Sequence, residues 1–145
     1  MEKDTLKLTI ELVPSSSWQN NLRTLLKPQM WKNIRVKVFE KYGNKCMICN
    51  RSGNMHAHEV WEYNDEKKTQ QLKDIIPLCY YCHGTKHFGY SSLKGNKEIF
   101  ISHFMKINNC DRLVFQKHLK EENIKFEDRS KYEWELDINK LKDFE

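Results

Sequence analysis

No stretch of about 18 apolar residues occurs in this sequence, so no membrane span is expected. The N-terminus, Met1-Glu2-Lys3-Asp4, lacks a basic-then-apolar pattern, so no secretory leader is expected. Internal repeats, low-complexity tracts and clear linkers are also missing. That leaves one domain over residues 1–145, an ordinary domain length. No heptad pattern or apolar interface stripe is legible, which leaves the oligomeric state open. The five cysteines cannot all pair with one another. Without a leader they fit a reducing, cytoplasmic compartment, where thiols serve metals more often than disulfides.

What is there is a polar globular composition, 39% hydrophobic and 31% charged, which makes a modest core that a metal staple would help to fix. Between Trp18 and Arg51 lie Arg23, Lys27, Lys32, Arg35, Lys37, Lys41, Lys45 and Arg51, opposed only by Glu40. From Glu121 onward acids outnumber bases. A basic half of this kind can track phosphates, and Arg35, Lys41, Lys45 and Lys86 are the candidate nucleic-acid contacts. A solvated lysine-rich face would give the same pattern.

Leu6, Leu8, Ile10 and Leu12 alternate with polar residues and predict a strand ended by Pro14. Ser17 is placed to cap a short helix from Trp18 to Leu26, and Pro28 interrupts the chain. Trp31, Ile34, Val38 and Tyr42 fall at helical spacing, with Gly43 placed to stop that helix. Two short apolar runs follow, Met55 to Trp61 and Ile75 to Leu78. The polar stretch Asn64 to Gln71 between them reads as a loop or an irregular helical turn. A helix starting near Tyr81 puts His83 and His87 on one face. Further helices are expected over Lys97 to Ile107 and Arg112 to Glu122. Trp134, Leu136 and Ile138 alternate as a strand would, and can pair with the N-terminal one. Trp18, Trp31, Trp61 and Trp134 are expected in the core, with Tyr80 and Tyr81 partly exposed.

Cys46-Met47-Ile48-Cys49 and Cys79-Tyr80-Tyr81-Cys82 are two CxxC knuckles. Zinc wants four soft or borderline ligands in a tetrahedron, and two thiolates on each of two tight turns supply them. A thioredoxin-like redox pair needs only one such motif. A four-cysteine site is closed, so the zinc held by Cys46, Cys49, Cys79 and Cys82 is expected to be structural, its binding energy part of the folding energy. Cys110 lies outside the set and reads as a small buried hydrophobe. Four of the six histidines, His56, His58, His83 and His87, lie within or just after the knuckles, together with Glu59. Imidazoles with a carboxylate suit a second, catalytic divalent ion such as Mg²⁺, Mn²⁺, Ni²⁺ or Zn²⁺. A histidine not bound to that ion can act as general base.

These residues resemble the zinc-knuckle branch of the HNH endonuclease family. The resemblance is carried by the first CxxC, by His58-Glu59-Val60, by Leu78-Cys79-Tyr80-Tyr81-Cys82-His83 and by Lys86-His87, all within Cys46 to His87. More loosely, Val13-Pro14, Trp18, Asn21-Leu22-Arg23, the His-Glu-x-Trp run from His58 to Tyr63, and Tyr132 to Asp137 look like a bacterial and phage subgroup. The resemblance implies an α+β fold: a small treble-clef-like ββα-metal module at about residues 44–90. It is embedded in a single domain with an N-terminal strand and helices over 5–43, and C-terminal helices plus a strand over 96–140. It also implies a bacterial or phage-infected cell.

Carried over residue by residue, His83 and His87 match the ion ligands on the helix. His58 matches a strand position that holds either a ligand or the general base. Two alignments compete. In one, His58 is the base and its neighbour in the ligand position is Ala57. In the other, His58 is the ligand and Glu59 the base. Asp74, five residues before Cys79, stands where the family has an asparagine, and can orient the base by accepting a hydrogen bond. Asp65 and Glu62 are alternatives for completing the ion's shell, or simply exposed carboxylates. The expected activity is metal-dependent hydrolysis of phosphodiester bonds in DNA, with RNA as an alternative substrate. A catalytically inactive zinc module that binds nucleic acid or a protein is the competing expectation.

Overall fold

The computed structural model describes residues 5–145, so the four N-terminal residues read above lie outside it. The chain forms one α+β domain. In order, the elements are α1 (Leu22–Leu25), α2 (Pro28–Tyr42), β1 (His56–Asn64), β2 (Thr69–Leu78), α3 (Tyr80–Lys86), α4 (Phe88–Leu93), α5 (Lys97–Asn108), α6 (Arg112–Arg129) and β3 (Glu135–Asp137). Short 3₁₀ turns occupy Ser15–Ser17 and Asn139–Phe144.

Helix α2 follows from its sequence. Pro28 opens it at the first helical position, where a missing N–H costs nothing. Trp31, Ile34 and Val38 form its buried stripe, and Gly43 ends it at φ 80°, a conformation that favours glycine. That stripe packs with Leu22, Leu72, Ile75 and Phe144 against one face of the sheet. The sheet has the order β1-β2-β3, with β1 antiparallel to β2 and β3 parallel to β2. In the β1–β2 register His56 lies opposite Leu78, His58 opposite Ile76 and Glu59 opposite Ile75, with an irregularity between Val60 and Trp61. Alternation puts His56 and His58 on one face, and Ala57 and Glu59 on the other, toward α2. A second cluster joins Ile10, Phe88, Phe100, Ile101, Phe104 and Phe115 from the helical tail. Gly84 of α3 lets the Phe100 ring of α5 lie against its backbone, where a Cβ would occupy the ring's space.

Several elements differ from their sequence-based expectation. Residues 6–12 form no strand and join no sheet: the backbone bends at Lys7 and Leu8, and what holds is the alternation, with Leu8 and Ile10 fully buried. Their backbone groups are satisfied by helix side chains instead. Asn108 Oδ1 accepts from the N–H groups of Lys7 and Leu8 at 2.8 and 2.9 Å, and its amide donates to the Leu8 carbonyl at 2.8 Å. His118 Nε2 accepts from the Ile10 N–H at 2.8 Å, and the Lys86 carbonyl accepts from Glu11 N–H at 2.9 Å. The C-terminal strand therefore pairs with β2, Thr69 opposite Glu135, rather than with the N-terminal segment.

The helix expected over Trp18 to Leu26 is reduced to Leu22–Leu25. Asn21, not Ser17, caps it, its Oδ1 accepting from Thr24 N–H at 3.0 Å. Trp18 is not core. It is 62% exposed, donates its indole N–H to the Val13 carbonyl and stacks on Phe126. The stretch Asn64 to Gln71 is a hairpin turn over residues 65–68 flanked by strand ends, in which Asn64 Oδ1 accepts from the N–H groups of Glu66 and Lys67 and Lys68 adopts φ 57°. Helix α6 runs on to Arg129, and the short α4 had no clear signal.

Candidate metal centres

The first centre joins the loop after α2 to the end of β2. Cys46 N–H donates to the Arg51 carbonyl, and Asn50, at φ 66°, donates its N–H to the Cys46 carbonyl, both at 2.9 Å, which closes the first knuckle. Met47 N–H donates to the Pro77 carbonyl at 3.0 Å and ties that knuckle to β2. Cys79 is the N-cap of α3, its Sγ accepting from Cys82 N–H at 3.4 Å. The four thiol sulfurs lie within 4.8 Å of one another, with Cys49 Sγ and Cys79 Sγ 3.6 Å apart. A tetrahedral zinc bound at about 2.3 Å spaces its sulfurs about 3.8 Å apart, so the cluster fits that ion. Burial pushes the Cys46 thiol up, but backbone hydrogen bonds at Cys49, Cys79 and Ile48 outweigh it and bring it down to about 7. His103 Nε2 stands 3.2 Å from Cys82 Sγ, where an N–H would spread thiolate charge onto the ring.

The second centre stands beside the first, because α3 begins at the second knuckle and β1 runs past it. His58, His83 and His87 each bring one ring nitrogen to within 4.8 Å of the others. Ring centroids are 5.3 Å apart for His58 and His83, 5.2 Å for His58 and His87, and 4.8 Å for His83 and His87. Burial, reinforced by the neighbouring imidazoles, lowers His83 to about 2 and His87 to about 4. Both are therefore neutral near pH 7, with the lone pair a metal needs. His58 is 2% exposed, and its Nδ1 is buried with no hydrogen-bond partner, as a ligand nitrogen without its ion would be. His56 is exposed on the same strand face, its Nδ1 2.9 Å from His83 Nδ1. Burial and the charges of Arg23 and Arg35 lower its pKa, so this open side of the cluster feels two exposed cations.

The remaining candidates are placed as follows. Glu59 points away from the histidines and accepts from Leu22 N–H, at the start of α1, at 2.6 Å. Asp74 does not orient His58. Its oxygens accept from Tyr42 O–H at 2.6 Å and Ile75 N–H at 2.8 Å, and burial with that carboxylate raises Tyr42 to about 12. Asp65 pairs with Arg129, and Glu62 loosely with Lys73. Arg35, Lys41 and Lys45 are exposed, with Lys41 lying over the Tyr42 and Phe144 rings. Lys86 is turned inward. It is 7% exposed and donates to Glu11 Oε2 at 2.6 Å and to Thr9 Oγ1 at 3.0 Å, so it is not free to meet a phosphate.

Glu11 was not singled out from sequence. Its Oε1 lies 3.1 Å from His58 Nε2. Burial would raise its carboxyl, but the His58 hydrogen bond and the Lys86 charge outweigh that and hold it at about 2. The residue sits at a polar position of an alternating run, 47 residues before its partner, and no local spacing marks it. Among the described residues, no helix is long and apolar enough to cross a membrane. Comparison with protein-family models, with curated proteins and with solved structures gives no match, so the two centres stand on their own geometry.

Proposed function

We propose that this chain is a metal-dependent endonuclease of the HNH type that hydrolyses phosphodiester bonds in DNA. The observation that carries the reading is the convergence of His58 from β1 with His83 and His87 at α3, next to a four-cysteine cluster that fits structural zinc. In this reading the three imidazoles hold a divalent ion, which supplies charge stabilisation at the phosphoryl oxygens. Ni²⁺ and Zn²⁺ suit imidazole better than Mg²⁺ and Mn²⁺ do.

The roles of the other residues follow from placement. Glu59 faces α1, which removes the carboxylate base of the second alignment. His58 is too buried to meet a water and serves as a ligand. His56, exposed beside the cluster and held neutral near pH 7, takes the proton from the attacking water. Arg23 and Arg35, exposed and with charges that reach His56, attract the phosphate backbone without reading sequence. The second reading, a silent zinc module binding nucleic acid or protein, is favoured by the loss of Asp74 and Glu59 from the cluster.

A plasmid-nicking assay tests the choice, with each divalent ion supplied to zinc-containing protein freed of other metals. Cutting by the wild type is expected. It should drop at least about a hundredfold in His56→Ala with ion binding kept, and vanish with ion binding in His58→Ala. No cutting with any ion would shift the reading to the silent module.

A further inference from the structure

The N-terminal segment is held too firmly for a simple strap. Asn108 grips both backbone groups of Leu8, His118 takes the Ile10 N–H, and the Lys86 carbonyl takes the Glu11 N–H. Leu8 and Ile10 are fully buried, Leu8 beside the cysteines and Ile10 among the phenylalanines of the helical tail. Glu11 is thus fixed in place by contacts independent of its own side chain. That side chain divides its two oxygens. Oε2 is held by Lys86 Nζ at 2.6 Å, which also reaches Thr9, and Oε1 meets His58 Nε2 at 3.1 Å.

An ionised carboxylate can only accept, so the His58 nitrogen facing it must carry the proton. A neutral imidazole then has its lone pair on Nδ1, and that atom is buried without a partner. We propose that Glu11 is the positioning residue of the histidine cluster. It accepts the Nε2–H of His58 and thereby fixes the ring and the tautomer that leaves Nδ1 free to bind a metal ion. Lys86 and Thr9 in turn hold Glu11. A carboxylate behind a ligand histidine also raises the basicity of the ligand nitrogen. The inference rests on the reading of His58 as a ligand, but its first test does not.

That test is the side-chain ¹H–¹⁵N spectrum of the zinc-containing wild-type protein, with His58 assigned by His58→Gln. The expected result is a His58 ring protonated at Nε2 and not at Nδ1. A ring protonated at Nδ1 overturns the proposal, and this measurement needs no variant at Glu11 to fold. In Glu11→Gln the Nε2–H preference is expected to weaken, with Nδ1–H appearing. An unchanged tautomer, in a variant whose other resonances match the wild type, counts against Glu11. The second arm is Ni²⁺ titration by calorimetry, with zinc content checked before and after. A loss of about ten- to a hundredfold in affinity is expected for Glu11→Gln, and an unchanged affinity overturns the proposal. If the wild type takes up no Ni²⁺ at all, the ligand reading of the cluster fails, and the tautomer alone decides the role of Glu11.

Discussion

Successive residues of a strand point to opposite faces, and at His58 and Glu59 that alternation decides which side chain can take part in metal chemistry. His58 faces α3 and the other imidazoles, whereas Glu59 caps the N-terminus of α1 through Leu22 N–H. Glu59→Ala is expected to cost about 1–2 kcal/mol in urea unfolding, as the loss of a charged cap does, with Ni²⁺ affinity at the cluster unchanged. A tenfold fall in that affinity would return Glu59 to the site. The cysteines and histidines were legible in the sequence because their spacing is local: two residues within each knuckle and one helical turn between His83 and His87. Glu11 was not legible, since what makes it important is a partner on another element.

At the scale of elements, the hairpin turn is tied to the far end of α6. Asp65 accepts from Arg129 Nε at 2.8 Å and Nη2 at 3.0 Å. The Arg129 hydrogen bond holds the Asp65 carboxyl below its ordinary value. A lowered pKa in the folded state stabilises in full above the unfolded value, near 4, and that contribution shrinks below it and is lost as the pH falls through the folded value. Asp65 is 55% exposed, so solvent screening limits the effect to under about 1 kcal/mol. Asp65→Asn is therefore expected to lower Tm by a few degrees at most at pH 7, and by less near pH 3. A Tm gap of equal size at both values would show that the pairing is not its cause. The same hairpin shows why Asn64 to Gln71 was misread. Its polar residues resemble a loop, but Thr69 to Gln71 gain ladder partners on both sides, from β1 and from β3.

At the scale of the whole molecule, the apolar interior of the described residues is divided into three clusters, and one of them is built around the cysteines, with Leu8 and Leu78 beside Cys46, Cys79 and Cys82. Four thiols packed this closely repel once ionised, so an ion bound among them would hold that cluster together. Zinc removal by a strong chelator at neutral pH is expected to abolish the cooperative melt or lower Tm by at least about 10 °C, reversed on adding zinc back. A melt unchanged in protein shown by metal analysis to have lost its zinc would contradict this. The sequence alone determined helix α2, the helix that carries His83 and ends at His87, and the two cysteine pairs. Each depends on residues within a few turns of one another, where periodicity and spacing act directly. Only the tertiary structure decided what residues 6–12 pair with, which neighbour of the His58-Glu59 pair faces the cluster, where Lys86 points, and that Glu11 stands behind His58. Alternation along a chain marks a half-buried segment, but neither the strand it would form nor which surface buries it. Here Asn108, His118 and Lys86 supplied the hydrogen bonds that another strand would otherwise have given.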